Sequence, residues 1–225
     1  MKIIKPVKCY YFSVEGKTEK LYLDWLQGEI NKKSEIYAVE FISKDWSPLK
    51  YTKKFANFIE DEDHENVEQF EIFHICDYEG GTNTKRFFNI LSEMREACRL
   101  KNINYKLCYS NFTFELWIIL HKIDCYTRLS DKTQYLKLIN KAYDTNFRSL
   151  HDYKKEDHFK KGILDKLTLD DVSSAINRAK SISVKNKKDG YKECEYKGYK
   201  FYKENPSLSI YGHIKKILRD CDLYK

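Results

Sequence analysis

Several features that mark particular protein classes are absent from this sequence. No apolar run is long enough to span a bilayer, and the opening residues MKIIKPVKCYYFSVEG contain no hydrophobic signal-peptide region. The cysteines number seven, an odd count, and none belongs to a CxxC pair, so we predict neither a disulfide framework nor a zinc site. We therefore expect a soluble, cytoplasmic protein with no membrane partner.

A phosphate-binding loop of the P-loop type is also lacking. Gly16-Lys17-Thr18 looks like the end of the motif GxxxxGK[ST], but the first glycine of that motif would have to stand at position 11, which is Tyr11. Without that glycine the backbone cannot form the phosphate-binding nest. The sequence therefore excludes ATP binding of this type.

What the sequence does have is enough apolar material for one substantial core. Its 225 residues are 42% hydrophobic and 15% aromatic, which is typical of a globular protein with one core or a core with a small additional lobe. The net charge of +7 permits a nucleic-acid partner but does not by itself demonstrate one. The composition leaves a homo-oligomeric state open.

Short apolar segments alternate with helical patterns in the first half of the chain. Helices are expected with an N-cap at Thr18, a start at Pro48, and apolar residues at i, i+3, i+4, i+7 and i+11 from Phe87. This alternation indicates an α/β fold with a parallel four-stranded sheet flanked by helices. β-branched and aromatic residues predict its strands at 8–14, 37–43, 70–76 and 105–109.

The pattern changes to helices and charged loops in the second half. Thr168 and Asp171 have the spacing of a capping box, and apolar periodicity from Ile210 to Leu218 predicts the last helix. We assign residues 1–122 to the α/β core. Residues 123–225 are expected to form a mostly helical C-terminal extension that packs on this core and is not an autonomous domain.

Acidic residues stand where two of the predicted strands end. Glu15 follows the first strand and Asp77 the third, and ligands of open parallel sheets bind beyond such strand ends. Glu79 shares a face with Asp77 if the chain stays extended. Carboxylates that repel one another can be bridged by a cation, and all-oxygen ligands suit Mg²⁺ or Mn²⁺. Glu15, Asp77 and Glu79 are thus candidate metal ligands; the alternative is a polar turn with a helix cap at Glu15.

Two further residues are candidates for catalytic roles beside Glu15. Lys17 can meet a phosphate group or be a solvated turn lysine. Glu115 lies in the very apolar segment FTFELWIILH, where a buried acid without a partner is costly. It either binds a metal or has the structural role of holding the Glu15 loop. His74 and His121, both in apolar segments, are expected to be core histidines.

The segment 185–203 is rich in lysine and aromatic residues. Basic side chains for phosphates and rings for stacking are what single-stranded nucleic-acid binding requires. An exposed loop or hairpin without that role is the alternative. The candidate nucleic-acid-binding residues are Lys185, Lys187, Lys188, Lys192 and Lys197.

Several segments together carry a resemblance to a known family. VEGKTE at 14–19 and the acidic motif Asp77-Tyr78-Glu79 are two of them. The third, SNFTFELWIILH at 110–121, is similar to the family pattern SNPxFExWLLLHF, and NPSL at 205–208 resembles its C-terminal NPST segment. On these residues the chain resembles the RloB family, Toprim-related proteins of bacterial defence and abortive-infection loci.

The resemblance implies a Toprim-like fold and a divalent-metal-dependent nuclease that cleaves RNA, including tRNA, or DNA. Glu15 would act as general acid/base or metal ligand, and Asp77 and Glu79 would replace the DxD pair that holds Mg²⁺. A partner ATPase of the ABC or AAA type would control the activity.

The chain departs from the family pattern at two positions. Glutamate stands at Glu79 in place of aspartate, and Phe112 stands where the family usually has proline. The longer Glu79 side chain could shift the metal. The change at Glu79 also favours an alternative, a non-catalytic subunit that senses nucleic acid or a phage factor for its ATPase.

Overall fold

The computed structural model describes residues 5–61, 70–81, 84–100 and 103–225. Within these ranges the chain forms an α/β structure whose central sheet is mostly parallel and flanked by helices. A bilayer-spanning helix, one of sufficient length and apolar character, does not occur in this part of the chain.

The central sheet contains the four predicted strands and one more. The strands are β1 Val7–Val14, β2 Ala38–Lys44, β3 Phe70–Asp77, β4 Ile103–Asn111 and β7 Ser207–Leu208. The first four run parallel in the order β2-β1-β3-β4, and the short β7 pairs antiparallel with the end of β4. The prediction of a four-stranded sheet is therefore wrong by one strand, because two residues are too few to show a strand periodicity.

Helices follow each of the four parallel strands. Pro48 begins the second helix, as predicted, but the first begins at Lys17, with Gly16 as its N-cap. Thr18 is therefore not the N-cap; it lies buried inside the first turn. The helices are α1 Lys17–Lys33, α2 Pro48–Asp61, α3 Thr84–Leu100 and α4 Glu115–Leu120.

Alternation along the strands divides the core between the two faces of the sheet. In β1, Phe12 and Val14 belong to one apolar cluster, while Tyr11 packs against the other. The first cluster joins the sheet to α1 and α4 and to helices of the second half; the second joins it to α2 and α3. Because both clusters anchor the strands, the carboxyl ends of β1 and β3 are held side by side.

The second half of the chain is mainly helical and contains one hairpin. Thr168 and Asp171 form the predicted capping box: the Asp171 N–H donates to the Thr168 Oγ1 at 3.2 Å. The lysine-rich segment 185–203 comprises the end of α8 (Leu169–Lys188) and the whole hairpin of β5 (Glu193–Tyr196) and β6 (Tyr199–Tyr202). The elements are α5 Gln134–Tyr143, α6 Leu150–Tyr153, α7 Glu156–Gly162, a 3-10 turn Leu164–Lys166, α8 Leu169–Lys188, β5 Glu193–Tyr196, β6 Tyr199–Tyr202 and α9 Ile210–Asp220.

Candidate acidic site

Glu15 and Asp77 lie together at the carboxyl edge of the sheet. β1 and β3 pair in parallel with Val14 opposite Ile75, so the residues that follow these strands are neighbours. The backbone N–H of Asp77 donates to Glu15 Oε2 at 3.1 Å. Arg86, on α3, places Nη2 3.0 Å from Glu15 Oε1. The Glu15 carboxylate is thus held by one backbone group and one guanidinium.

Two buried glutamates extend this acidic cluster. Glu19 is in the first turn of α1 and Glu115 is the first residue of α4, and their exposed fractions are 7% and 1%. A Cβ on Gly16 would stand 2.9 Å from Glu19 Oε2, so the glycine leaves room for this carboxylate. We refer to Glu15, Glu19, Asp77 and Glu115 as the acidic cluster.

Glu19 was not among the residues singled out from the sequence as candidates for the site. The signal in the sequence is its position: Glu19 lies in the first turn of the helix that directly follows the first strand, so it lies at the same sheet edge as Glu15.

Burial and mutual repulsion raise the pKa values of Glu15, Glu19 and Asp77. Burial raises the pKa of Asp77 well above its usual value, and the charges of Glu19, Glu115 and Glu15 raise it further. Burial also raises the pKa of Glu19 to about 7, with Glu115 as the strongest neighbouring charge acting in the same direction. For Glu15, burial outweighs the lowering effects of the Asp77 N–H and Arg86, and its pKa is raised. A bound cation would relieve this repulsion.

A lysine from the second half of the chain supplies one positive charge. Lys154, just after α6, places Nζ 2.9 Å from Glu115 Oε1, with 44% of its side chain exposed and only 1% of that of Glu115. Burial lowers the pKa of Lys154, but the nearby Glu115 more than offsets this, and the net shift is upward. Lys154 is therefore the internal counter-cation of the cluster.

Several buried oxygen atoms of the cluster lack hydrogen bonds. Asp77 as a whole is half-buried, yet its Oδ1 is inaccessible and has no hydrogen-bond partner among the described residues. Both Glu115 oxygens are likewise inaccessible and without a hydrogen bond among the described residues, although Lys154 Nζ forms an ion pair with Oε1 at 2.9 Å. The Tyr153 hydroxyl, whose pKa is raised by burial and then by Glu115, is also without a partner in the described part of the chain. Buried oxygens without hydrogen bonds are candidates to coordinate a cation or to accept a hydrogen bond from a bound ligand.

The donor chemistry of the cluster fits a divalent cation. Its groups are four carboxyls, which suit Mg²⁺ or Mn²⁺ and, when ionised, outnumber the two cations Lys154 and Arg86. In the arrangement seen within residues 5–61, 70–81, 84–100 and 103–225, no three acidic, histidine or cysteine side chains are disposed to hold one ion. The residues thus fit the ion in charge and donor type, while Lys154 stands beside the orphaned oxygens of Glu115.

Glu79 and Lys17 are directed differently from the rest of the cluster. β3 ends at Asp77 and Glu79 has a left-handed backbone with φ of 50°, so the chain does not stay extended between them. Glu79 Oε1 is 2.6 Å from Lys132 Nζ, although its charge still raises the pKa of Glu15. Lys17 Nζ is 2.5 Å from Glu156 Oε2. The structure therefore groups Glu15, Asp77 and Glu115, and pairs Glu79 and Lys17 with oppositely charged side chains.

The lysines singled out as nucleic-acid-binding candidates lie on two elements. Lys185, Lys187 and Lys188 are in the last turn of α8, where Lys185 Nζ is 2.8 Å from Asp189 Oδ2. Lys192 precedes the hairpin and Lys197 is in its turn. The hairpin packs on α3, because the Tyr196 and Phe88 ring centres are 4.9 Å apart. α3 also carries Arg86 of the acidic site.

Comparison with known proteins gives one match. A family model described as RloB-like protein matches residues 10–217, which is nearly the whole chain. No match was found among curated proteins or among solved structures. The matched residues include every member of the acidic cluster, as well as Lys154.

Proposed function

Because the chain belongs to the RloB-like protein family, we propose that it is a divalent-metal-dependent nuclease that acts as an effector of bacterial anti-phage defence. Its sheet would be of the Toprim type, with the reaction at the carboxyl edge. One observation carries the proposal: the acidic cluster gathers buried carboxylate oxygens that lack hydrogen bonds among the described residues, at the carboxyl edge of the sheet, where ligands of parallel sheets bind.

Each residue of the cluster has a role in this proposal. Asp77 and Glu115 would hold the ion through their orphaned oxygens, and Glu15 would act as general acid/base or as a further ligand. A bound Mg²⁺ or Mn²⁺ would supply charge neutralisation of a phosphodiester and a more acidic water. Arg86, exposed and 3.0 Å from Glu15, is placed to orient a phosphate group. Glu79 and Lys17 would join only after leaving Lys132 and Glu156.

The substrate and partners are part of the same proposal. RNA, including tRNA, or DNA would be the substrate, and the lysines of α8 and of the hairpin would contact its backbone. A partner ATPase of the ABC or AAA type would control cleavage. Because unregulated cleavage is toxic, we expect the isolated chain to have only a modest cleavage activity. The protein would act in the cytoplasm, as a monomer or homo-oligomer.

The test is metal-dependent cleavage by the purified chain. Wild type is incubated with tRNA, single-stranded RNA and single-stranded DNA, with Mg²⁺, with Mn²⁺ or with a chelator. Asp77→Asn and Glu15→Gln should abolish cleavage, whereas Asp24→Asn, an exposed acid of α1 paired with Lys20 at 3.0 Å, should retain it. Equal residual cleavage by all variants would identify a contaminating nuclease and remove the support.

A second candidate function is favoured by the position of Lys154. An internal ammonium 2.9 Å from Glu115 can balance the cluster without a metal, as expected of a non-catalytic subunit that senses nucleic acid or a phage factor for its ATPase. Calorimetry with Mn²⁺ separates the two functions. Saturable binding that Asp77→Asn removes supports the nuclease; nucleic-acid binding without any Mn²⁺ binding supports the sensor.

A further inference from the structure

A cavity of about 580 Å³ opens beside the acidic site and is not used by the roles described above. It lies between the loop after β2 and helix α3, and Glu15 and Arg86 form part of its wall. Its volume is in the range of pockets that enclose small organic ligands. Because the wall is shared, a ligand that fills the cavity lies directly against the candidate reaction site.

An aromatic ring forms one side of this cavity. Trp46 is half-buried, and its edge-to-face contact with Tyr51, with ring centres 5.9 Å apart, fixes its orientation. Lys54 is exposed, and its Nζ lies 4.9 Å from the Trp46 ring centre; Lys50 and Lys44 follow at 5.6 and 6.0 Å. A planar ligand on Trp46 would displace only solvent-exposed lysine side chains and keep their charge nearby. Such a ring surrounded by cations suits a base attached to phosphates.

Polar groups also line the cavity. His74 is 1% exposed, its Nδ1 is bonded to Ser13 Oγ, and its Nε2 has no partner among the described residues. Burial lowers the pKa of His74 to about 3, so the ring is neutral. Glu93 Oε2 is likewise unpaired within the described chain, and Asn89 adds an exposed amide. A neutral imidazole nitrogen, a carboxylate acceptor and a side-chain amide together can pair with the donors and acceptors at the edge of a nucleobase.

The mouth of the cavity carries positive charge. Lys85 and Arg86 are both exposed residues of the first turn of α3, and Arg86 links the cavity to Glu15 at 3.0 Å. A base seated against Trp46 would therefore have its own phosphate beside Arg86 and Glu15. An apolar ligand would leave the buried polar atoms of His74 and Glu93 without partners.

We propose that this cavity binds one unpaired nucleobase of a single-stranded nucleic acid, stacked on Trp46, with the adjacent phosphodiester at Glu15 and Arg86. The inference rests on the proposed nuclease function for the chemistry at that phosphodiester, but the binding it describes needs no metal. It assigns the substrate class as a single-stranded segment or an extruded base, because a base stacked and paired inside a duplex cannot enter the cavity to stack on Trp46.

The experiment measures binding in a chelator, so that its outcome is independent of cleavage. Fluorescence anisotropy of a labelled single-stranded RNA or DNA dodecamer is compared for wild type, Trp46→Phe, Trp46→Ala and Asn89→Ala. Trp46→Ala should weaken binding by about 5- to 150-fold, the loss of one stacked base, while Trp46→Phe retains most of the affinity. Trp25→Ala, at the other half-buried tryptophan, is the matched control and should bind as wild type does.

Four comparisons can overturn the proposal. Wild type should prefer the single strand over the duplex, and a strand in which every base is removed should bind wild type and Trp46→Ala equally. Equal binding of intact strands by the two proteins, with matching circular dichroism, would refute the base pocket. Binding of a nucleoside monophosphate that depends on Trp46, without strand binding, would instead assign a free nucleotide. If Trp46→Ala does not fold, Asn89→Ala decides, with a severalfold loss expected.

These outcomes separate the pocket from the nuclease function. Strand binding that depends on Trp46 together with failure of Mn²⁺-dependent cleavage keeps the pocket and removes the nuclease. Metal-dependent cleavage by wild type, with strand binding unchanged in Trp46→Ala and Asn89→Ala, keeps the nuclease function and removes the base pocket.

Discussion

Replacing Lys154 by methionine tests whether its ammonium stands in for a metal ion. Lys154 Nζ is the cation found 2.9 Å from Glu115, whose two oxygens lack hydrogen bonds among the described residues. If an incoming ion takes the place of this ammonium, the two compete. Lys154→Met should therefore weaken the metal-free protein and strengthen its binding of Mn²⁺. Methionine keeps the length and apolar stem of the side chain but removes its charge.

The size of the effect follows from the exposure of the two partners. The Glu115 side chain is 1% exposed and that of Lys154 is 44% exposed, so the pair is neither a surface pair nor a buried one. Surface pairs contribute about 0–1 kcal/mol, and breaking a fully buried pair costs about 3–5 kcal/mol. We place this pair at about 1–2 kcal/mol, which corresponds to a gain in Mn²⁺ affinity of about 5- to 30-fold.

Isothermal titration calorimetry with Mn²⁺ and urea unfolding without metal measure the two effects. Lys155→Met is the matched control, because the neighbouring Lys155 pairs with Asp152 at 3.1 Å, three residues away and outside the acidic cluster. It should leave Mn²⁺ affinity unchanged. Asp77→Asn added to Lys154→Met should reverse the gain, because it removes a carboxylate that the competition requires.

Two results would refute the reasoning. Mn²⁺ affinity equal in wild type and Lys154→Met would show that the ammonium does not compete with the ion. A Lys154→Met protein of unchanged metal-free stability would show that the ion pair with Glu115 contributes nothing.

Three further predictions concern other parts of the molecule. Burial lowers the pKa of His121 from 6.5 to about 4, so it stabilises the fold above pH 6.5 and loses this contribution as pH falls toward 4. Urea unfolding should show a loss of about 3 kcal/mol over that interval which is absent in His121→Gln; parallel curves would contradict it. Gly16→Ala should lower Mn²⁺ affinity about tenfold by calorimetry, because its Cβ would stand 2.9 Å from Glu19 Oε2; unchanged affinity would contradict it. Lys192→Glu with Lys197→Glu should weaken nucleic-acid binding and reduce its salt dependence, as anisotropy at several salt concentrations would show; an unchanged slope would remove the hairpin from the interface.

Sequence by itself determined much of the first half of the fold. The positions of β1 to β4 and their helices follow from local periodicity, which needs only neighbouring residues to be apolar at the correct spacing. Once the strands are parallel, the placement of Glu15 and Asp77 at one edge is a geometric consequence. The capping box at Thr168 was also predictable, because its hydrogen bonds join residues three apart.

Only the tertiary structure decided what surrounds these acids. Lys154 lies in a charged segment without periodicity, and it meets Glu115, the first residue of α4, only because the tertiary fold brings the end of α6 to that residue. Glu79 leaves the strand geometry because its backbone turns left-handed and its carboxylate meets Lys132, from a distant part of the chain. β7 is a strand only because β4 is beside it. Such contacts depend on the packing of segments that are distant in the sequence, and local sequence patterns do not indicate them.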